Sequence, residues 1–308
     1  MKYIASLMVV VSHLTGFHKI SLDLAIECSF GWVAVSLFFF YSGYGLTNGI
    51  KNKGVHYLSG FWHKRGVKVV APLFIAYLVF LIVDLSLHGI KEISFVEIAK
   101  KFFSDDPYLP YSWFVSWLLV IYLLFYIVGK FSCKSNFLRI FMVVFLVFYG
   151  VILSSRLGAW CKVSTPCFLL GVIYRSYENK IIKESPILLR CTLLLMLGIF
   201  MISYNWIRIT ALLNCQGSIV YSSIPLYFGS LAFVVWFVIF CSRVNEIREI
   251  KVYAVKSSYE LYLCQGVVFV LVGCFIPDGF TFYAISLVGC IVLGLIFRGI
   301  MSYFMRKI

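Results

Sequence analysis

Residues 2–14 read KYIASLMVVVSHL, an almost wholly apolar run with Lys2 at one end and His13 near the other. The two lie eleven positions apart. At about 100° per residue that is roughly three turns plus 20°, so a helix carries both on one face, about 16 Å apart along its axis. The next apolar stretch holds Leu37-Phe38-Phe39-Phe40-Tyr41-Ser42-Gly43-Tyr44. An ionisable residue on an apolar helix is costly, and inside a membrane it marks a functional site by default. The rest of the chain decides whether these helices cross one.

It indicates that they do. Of the 308 residues, 62% are hydrophobic and 13% charged, whereas a soluble domain is near half apolar and a quarter charged. The mean hydropathy is +0.95. A span needs about 20 apolar residues, and ten stretches approach that: 3–17, 28–46, 67–87, 113–129, 137–153, 159–174, 187–204, 219–241, 259–276 and 280–300. The first is short, and a few residues upstream of Met1 would bring it to ordinary length. Basic residues alternate with these stretches. Lys2, Lys51, Lys53, Lys64, Arg65, Lys68 and their counterparts in every second connection put twenty of the 27 basic residues on one side. The positive-inside rule then places both termini in the cytoplasm.

The expected fold is therefore all-α: a polytopic integral membrane protein of about ten helices in one bundle, a single domain over 1–308. The connection 88–112, with Asp105-Asp106-Pro107 and Pro110, reads as an outer surface loop with a short amphipathic piece. The net charge of +14 is explained by membrane orientation, and no basic stripe on a polar domain points to nucleic acid. None of the ten cysteines forms a C-x-x-C pair, and most lie in apolar runs, so they read as small buried hydrophobes and not as a metal site. The first apolar run lacks the cleavage pattern of a signal peptide.

His13 has two readings: a histidine hydrogen-bonded inside the bundle, or a general base that takes a proton from a hydroxyl near neutral pH. Gly45 and Gly49 form a small-xxx-small pair suited to helix packing. Ser42 lacks the flanks of a nucleophile elbow, and a hydrogen-bonding or shape role fits it better. Arg65 and Lys68, three apart before Pro72, share a helix face. They are either an orientation anchor or an anion site, with Arg supplying a fork and Lys a point charge. Asp84 and Glu260 are helix-end carboxylates, or else Glu260 pairs with Lys2, Arg65 or Lys68 while Asp84 orients an acceptor.

These stretches resemble membrane acyltransferase family 3, which includes O-acetyltransferases of bacterial surface polysaccharides. Lys2 and His13 match its basic residue eleven positions before a His. Phe39-Phe40-Tyr41-Ser42-Gly43-Tyr44 matches its F-F-x-x-S-G-[FY] motif with the aromatics shifted by one, and Arg65 with Lys68 matches its R-x-x-R. Trp113-Phe114 matches its W-F segment. Ser258-Tyr259-Glu260-Leu261-Tyr262-Leu263-Cys264-Gln265 matches its S-Y-x-x-Y-L-x-[HQ] segment. Lys2 and Lys68 depart from the usual Arg, and Cys264 stands where many relatives carry His, which leaves His13 as the main base.

The resemblance implies transfer of an acyl group, acetyl being the expected one, from acyl-CoA to a hydroxyl of a glycan or lipid-linked saccharide. It implies His13 as catalytic base and Lys2, Ser42, Tyr44 and Glu260 in support. Arg65 and Lys68 would then hold the donor, and Asp84 and Trp113 the acceptor. Acyl-CoA is a substrate in this reading, and no resident cofactor is expected. Membrane lipid surrounds the protein in the cytoplasmic membrane. The rival readings are a proton-coupled transporter using His13, Asp84 and Glu260, and a non-catalytic membrane scaffold.

Overall fold

The computed structural model describes residues 2–17, 30–89, 95–104, 106–132, 136–155, 158–181, 186–212, 219–243, 257–277 and 279–307. Among them all the regular secondary structure is helical. In order come α1 (Lys2–Phe17), α2 (Gly31–Lys53), α3 (Phe61–Arg65), α4 (Ala71–His88), α5 (Phe95–Phe102), α6 (Trp113–Phe131) and α7 (Phe137–Ser154). Then follow α8 (Ala159–Ser164), α9 (Pro166–Ile181), α10 (Pro186–Leu212), α11 (Ile219–Arg243), α12 (Ser258–Phe275) and α13 (Phe280–Lys307). Among the described residues, six helical stretches are long and apolar enough to cross a membrane: Phe61–Leu87, Trp113–Phe131, Phe137–Ser154, Leu188–Trp206, Ser258–Phe275 and Phe280–Phe304. Their outward residues are apolar and exposed, as lipid contact requires, for example Phe74, Ile82, Val143, Val147 and Val288. The protein is an all-α polytopic membrane protein.

Six is fewer than the ten stretches expected. Two further apolar stretches are shorter among the described residues, Tyr3–Leu14 within the 16-residue α1 and Ile224–Phe240 within the 25-residue α11. The stretch 159–174 is divided between α8 and α9, and the second half of α9 is polar, with Arg175, Glu178 and Lys180. Helix α2 has length but carries Thr47, Asn48, Lys51 and Lys53 in its last two turns.

The chain forms two compact units. The first takes 1–34, 58–126 and 251–308, the second 35–57 and 127–250. Each gathers distant pieces of chain, so no single cut in the sequence separates them.

In the first unit, α12 is the centre. It packs against α1, α4 and α13. Every residue from Glu260 to Phe269 is buried, which is the pattern of a helix surrounded on all sides. Val10 and Leu14 of α1, Leu261, Val268 and Phe269 of α12, and Phe282 and Cys290 of α13 form one apolar core. The Ser6 hydroxyl donates to the Ser258 carbonyl at 2.7 Å and ties α1 to the head of α12.

Between α3 and α4 the helix widens into a π turn, Gly66–Val70, closed by the Ala71 N–H on the Gly66 carbonyl. Pro72 has no N–H and its ring crowds the carbonyl four residues back, so the ordinary return to Lys68 is barred and the wider turn takes its place. The Tyr259 hydroxyl donates to the Val69 carbonyl at 2.9 Å, which joins the π turn to α12.

In the second unit α10 packs along α11, and α9 touches α7, α8 and α11. Phe145 stacks on Phe168 at 6.0 Å. Two glycines set the approach of α2 to α9. A Cβ on Gly43 would run into the Phe168 carbonyl, and a Cβ on Gly171 into the Phe40 carbonyl. The small-residue face of α2 is therefore not the Gly45–Gly49 pair expected. A Cβ on Gly45 would meet nothing within 4 Å among the described residues, and one on Gly49 would run into the ring of Tyr57.

Candidate functional site

His13 lies in the penultimate turn of α1, half-buried against α12. Its Nδ1 is 2.9 Å from Oε1 of Gln265. This orientation of the amide assigns the proton to Nδ1, which donates to Oε1 and leaves Nε2 with its lone pair. Gln265 is fully buried, and its Nε2 has no hydrogen-bond partner among the described residues. A fixed carbonyl acceptor on one ring nitrogen and a free lone pair on the other is the arrangement of a positioned general base.

The face of the imidazole is covered as well. Tyr111 stacks on it with ring centroids 4.0 Å apart and planes 16° from parallel. Phe269 meets the Tyr111 ring edge-on at 5.9 Å. Burial pushes the Tyr111 phenol up to about 12, so it is neutral at physiological pH.

Tyr111 belongs to a strap, residues 106–112, that was expected to be surface loop. The structure buries much of it: Leu109 is 0% exposed and Ser112 1%, and Pro107 is buried too. Burial of irregular backbone demands that its polar groups find partners. Pro107 and Pro110 remove two donors outright. The Ser112 N–H donates to the Leu109 carbonyl, and the Tyr262 hydroxyl donates to the Tyr111 carbonyl. At its outer end, the Tyr108 hydroxyl donates to Asp84 at 2.9 Å. Burial, the hydrogen bond and the charge of Asp84 together push the Tyr108 phenol up. Tyr77 and Ser112 share a hydrogen bond at 3.0 Å. Pro110 rides on α12 at Gly266, where an added Cβ would sit 3.1 Å from it.

Toward the head of α12 the sites divide differently from the sequence expectation. Glu260 is 2% exposed and pairs with Arg298 of α13 at 3.0 Å. Its other oxygen has no hydrogen-bond partner among the described residues. Among the described side chains the partner is thus Arg298 and neither Arg65 nor Lys68. Arg65 is half-buried, with its guanidinium carbon 5.5 Å from the Phe61 ring centre and 5.0 Å from that of Tyr122. Lys68, within the π turn, is exposed, so the two bases expected to act as a pair have different surroundings. Lys2 heads an unbroken α1, but its side chain lies outside the described residues. Trp113 opens α6, half-buried, edge-on to Phe114 at 6.5 Å. Thus His13, Arg65, Lys68, Asp84, Trp113 and Glu260 all belong to the first unit.

Ser42 and Tyr44 belong to the second. Ser42 is half-buried next to the packing glycine Gly43. The Tyr44 hydroxyl donates to Glu178 at 3.0 Å. Glu178 also pairs with Arg175 at 3.0 Å, and Arg175 Nε donates to Asn48 at 2.8 Å. Lys51 donates to the Arg175 and Ser176 carbonyls at 2.8 and 2.9 Å.

Sequence reasoning missed Gln265, Tyr111, Arg298 and the Arg175–Glu178 pair. Gln265 closes the quoted S-Y-x-x-Y-L-x-[HQ] segment, and that position was the signal for it. The family model described as an acyltransferase domain matches residues 1–299. No curated protein matches, and no solved structure does.

Proposed function

This chain belongs to the membrane acyltransferase family of that description, and on that premise we propose that it moves an acyl group from acyl-CoA to a hydroxyl of a glycan or lipid-linked saccharide. Acetyl is the expected group. The observation that carries the reading is the half-buried imidazole of His13, with Nδ1 bound to Gln265 and Nε2 left as the base.

In this reading Nε2 takes the proton of the acceptor hydroxyl as its oxygen attacks the thioester carbonyl. The carbon–sulfur bond then breaks, the CoA thiolate recovers the proton from the imidazolium, and the products are an ester and free CoA thiol. Proton transfer at a positioned base supplies about 10²–10⁴-fold. Arg65 and Lys68 stand at the end of the unit that the positive-inside rule puts in the cytoplasm, where the phosphates of CoA arrive. Asp84 and Trp113 stand toward the opposite face, where an acceptor sugar would dock. Ser42 and Tyr44 act within their own unit, through helix packing and the Glu178 network. Ten membrane crossings with both termini cytoplasmic complete the proposal, in a single domain in the cytoplasmic membrane. The alternation of basic residues supports that topology.

The test is mass spectrometry of surface glycans, with acetyl-CoA loss in membranes of the same cells, for the parent chain and for His13→Gln. Loss of ester and of thioester turnover at equal membrane abundance is expected. Turnover near the parent's in His13→Gln would falsify the base.

A further inference from the structure

We infer that Tyr111 is a positioning residue for His13, held in a left-handed backbone conformation by the strap 106–112 so that its ring fixes the plane of the imidazole. The inference rests on the reading of His13 as the base.

Three observations converge. Tyr111 has φ of +68°, and it is the sole non-glycine with positive φ among the described residues. A bulky residue there is a conformational outlier, and such outliers persist only where the surroundings enforce them. The surroundings here are explicit. Tyr262 holds the Tyr111 carbonyl, Pro110 is seated on Gly266, and Ser112 is held by Tyr77 and by the buried turn from Leu109. The strained residue is also the one whose ring lies flat on His13, at 4.0 Å and 16°. With an ordinary negative φ the same tether points would aim the side chain elsewhere, away from α1.

The stack completes what Gln265 begins. One hydrogen bond at Nδ1 leaves the imidazole free to tilt about its Cβ–Cγ bond within the tolerance of that hydrogen bond. A parallel ring on its face removes that freedom and fixes where Nε2 points. The electron-rich face of a phenol ring also favours the imidazolium formed when Nε2 takes a proton. The phenol oxygen is not needed for either effect. A structural reading of Tyr111 as strap filler predicts that its loss lowers stability. A positioning role predicts loss of turnover per folded protein as well.

The experiment uses the full chain in membranes of cells that make the acceptor, with acetyl-CoA as the varied substrate. Tyr111→Phe keeps the ring and is expected to hold kcat within about twofold of the parent. Tyr111→Gly relieves the left-handed backbone and removes the ring. It is expected to lower kcat by about tenfold to a hundredfold, the scale of a misplaced catalytic group. The KM for acetyl-CoA should stay within about twofold, and because loss of a half-buried ring lowers the unfolding temperature in either case, kcat is compared per folded protein and below the variant's unfolding temperature. If the glycine variant does not accumulate, Tyr111→Asn, which tolerates the left-handed region, carries the same expectation. Parental kcat in the ringless variant overturns the inference, and so does a Tyr111→Phe variant as slow as Tyr111→Gly. His13→Gln run alongside separates the premise from the inference. An active His13→Gln sinks the base, whereas an inactive one beside a fully active Tyr111→Gly sinks only the role of Tyr111.

Discussion

Gln265→Leu separates the chemistry of the His13 site from its stability, because the two are expected to move differently. Gln265 is fully buried and spends its Oε1 on His13, while its Nε2 has no hydrogen-bond partner among the described residues. Leucine of similar size removes one hydrogen bond, a net loss of about 1 kcal/mol, and also removes a buried unpaired amide group that costs about 1–3 kcal/mol. The balance is within about 1–2 kcal/mol of zero, so the unfolding temperature in detergent should barely change. Catalysis has no such compensation. Without an acceptor at Nδ1, the tautomer with the lone pair on Nε2 loses about 1–3 kcal/mol of preference. At about 1.4 kcal/mol per tenfold, kcat should fall on the order of 5- to 150-fold. Gln265→Glu retains an acceptor oxygen at the same place and should recover most of that loss. The assay is release of free CoA thiol from acetyl-CoA by membranes holding equal amounts of each variant. A Gln265→Leu protein with the parent's kcat would refute the assignment of Gln265 as the orienting partner.

Other outcomes follow from particular contacts. Arg298→Ala leaves Glu260, 2% exposed, with an unpaired buried carboxylate; it should lower stability by about 3–5 kcal/mol in thermal unfolding, with Glu260→Leu in the same chain restoring most of it. Gly43→Ala places a methyl against the Phe168 carbonyl and should cost about 1–3 kcal/mol, whereas Gly45→Ala, with no neighbour within 4 Å, should be neutral or slightly stabilising by the same measurement. Arg65→Ala should raise the KM for acetyl-CoA about tenfold and Lys64→Ala should not; equal donor titrations would reduce Arg65 to an orientation anchor. Reporter fusions after Ile308 and within 88–112 should report opposite sides of the membrane, and agreement between them would dismiss the ten-crossing topology.

Much of the helical order was legible because lipid imposes a coarse rule. Long apolar runs have to be helices when no water can satisfy the backbone. The rule weakens where a helix carries polar groups, as α9 and the last two turns of α2 do. Residues 166–174 are apolar, but the helix continues through Arg175, Glu178 and Lys180, and Arg175 and Glu178 find partners in Asn48, Tyr44 and each other. Spacing alone could not show this, since Tyr44 and Asn48 are more than a hundred residues away. The glycine face failed for a related reason. Gly45 and Gly49 satisfy the four-residue pattern, but the pattern does not say which side of α2 faces α9, and Gly43 is the residue that does.

The site was legible on α1 and α12 and illegible between them. His13 and Gln265 both fall in segments whose residue order pointed to function, and each sits on a helix whose register the sequence determines. Tyr111 sits on neither. Its role depends on a backbone angle that no residue type in Leu109-Pro110-Tyr111-Ser112 requires, and tyrosine is a poor choice for φ of +68°. What sequence does supply is the pair of prolines, which lets irregular backbone be buried with fewer donors to satisfy. Two prolines flanking a Tyr-Leu in a connection between membrane-protein helices therefore argue for burial as well as for a turn. A segment built to be buried beside an ionisable residue on a neighbouring helix has a reason to be there that a surface loop lacks.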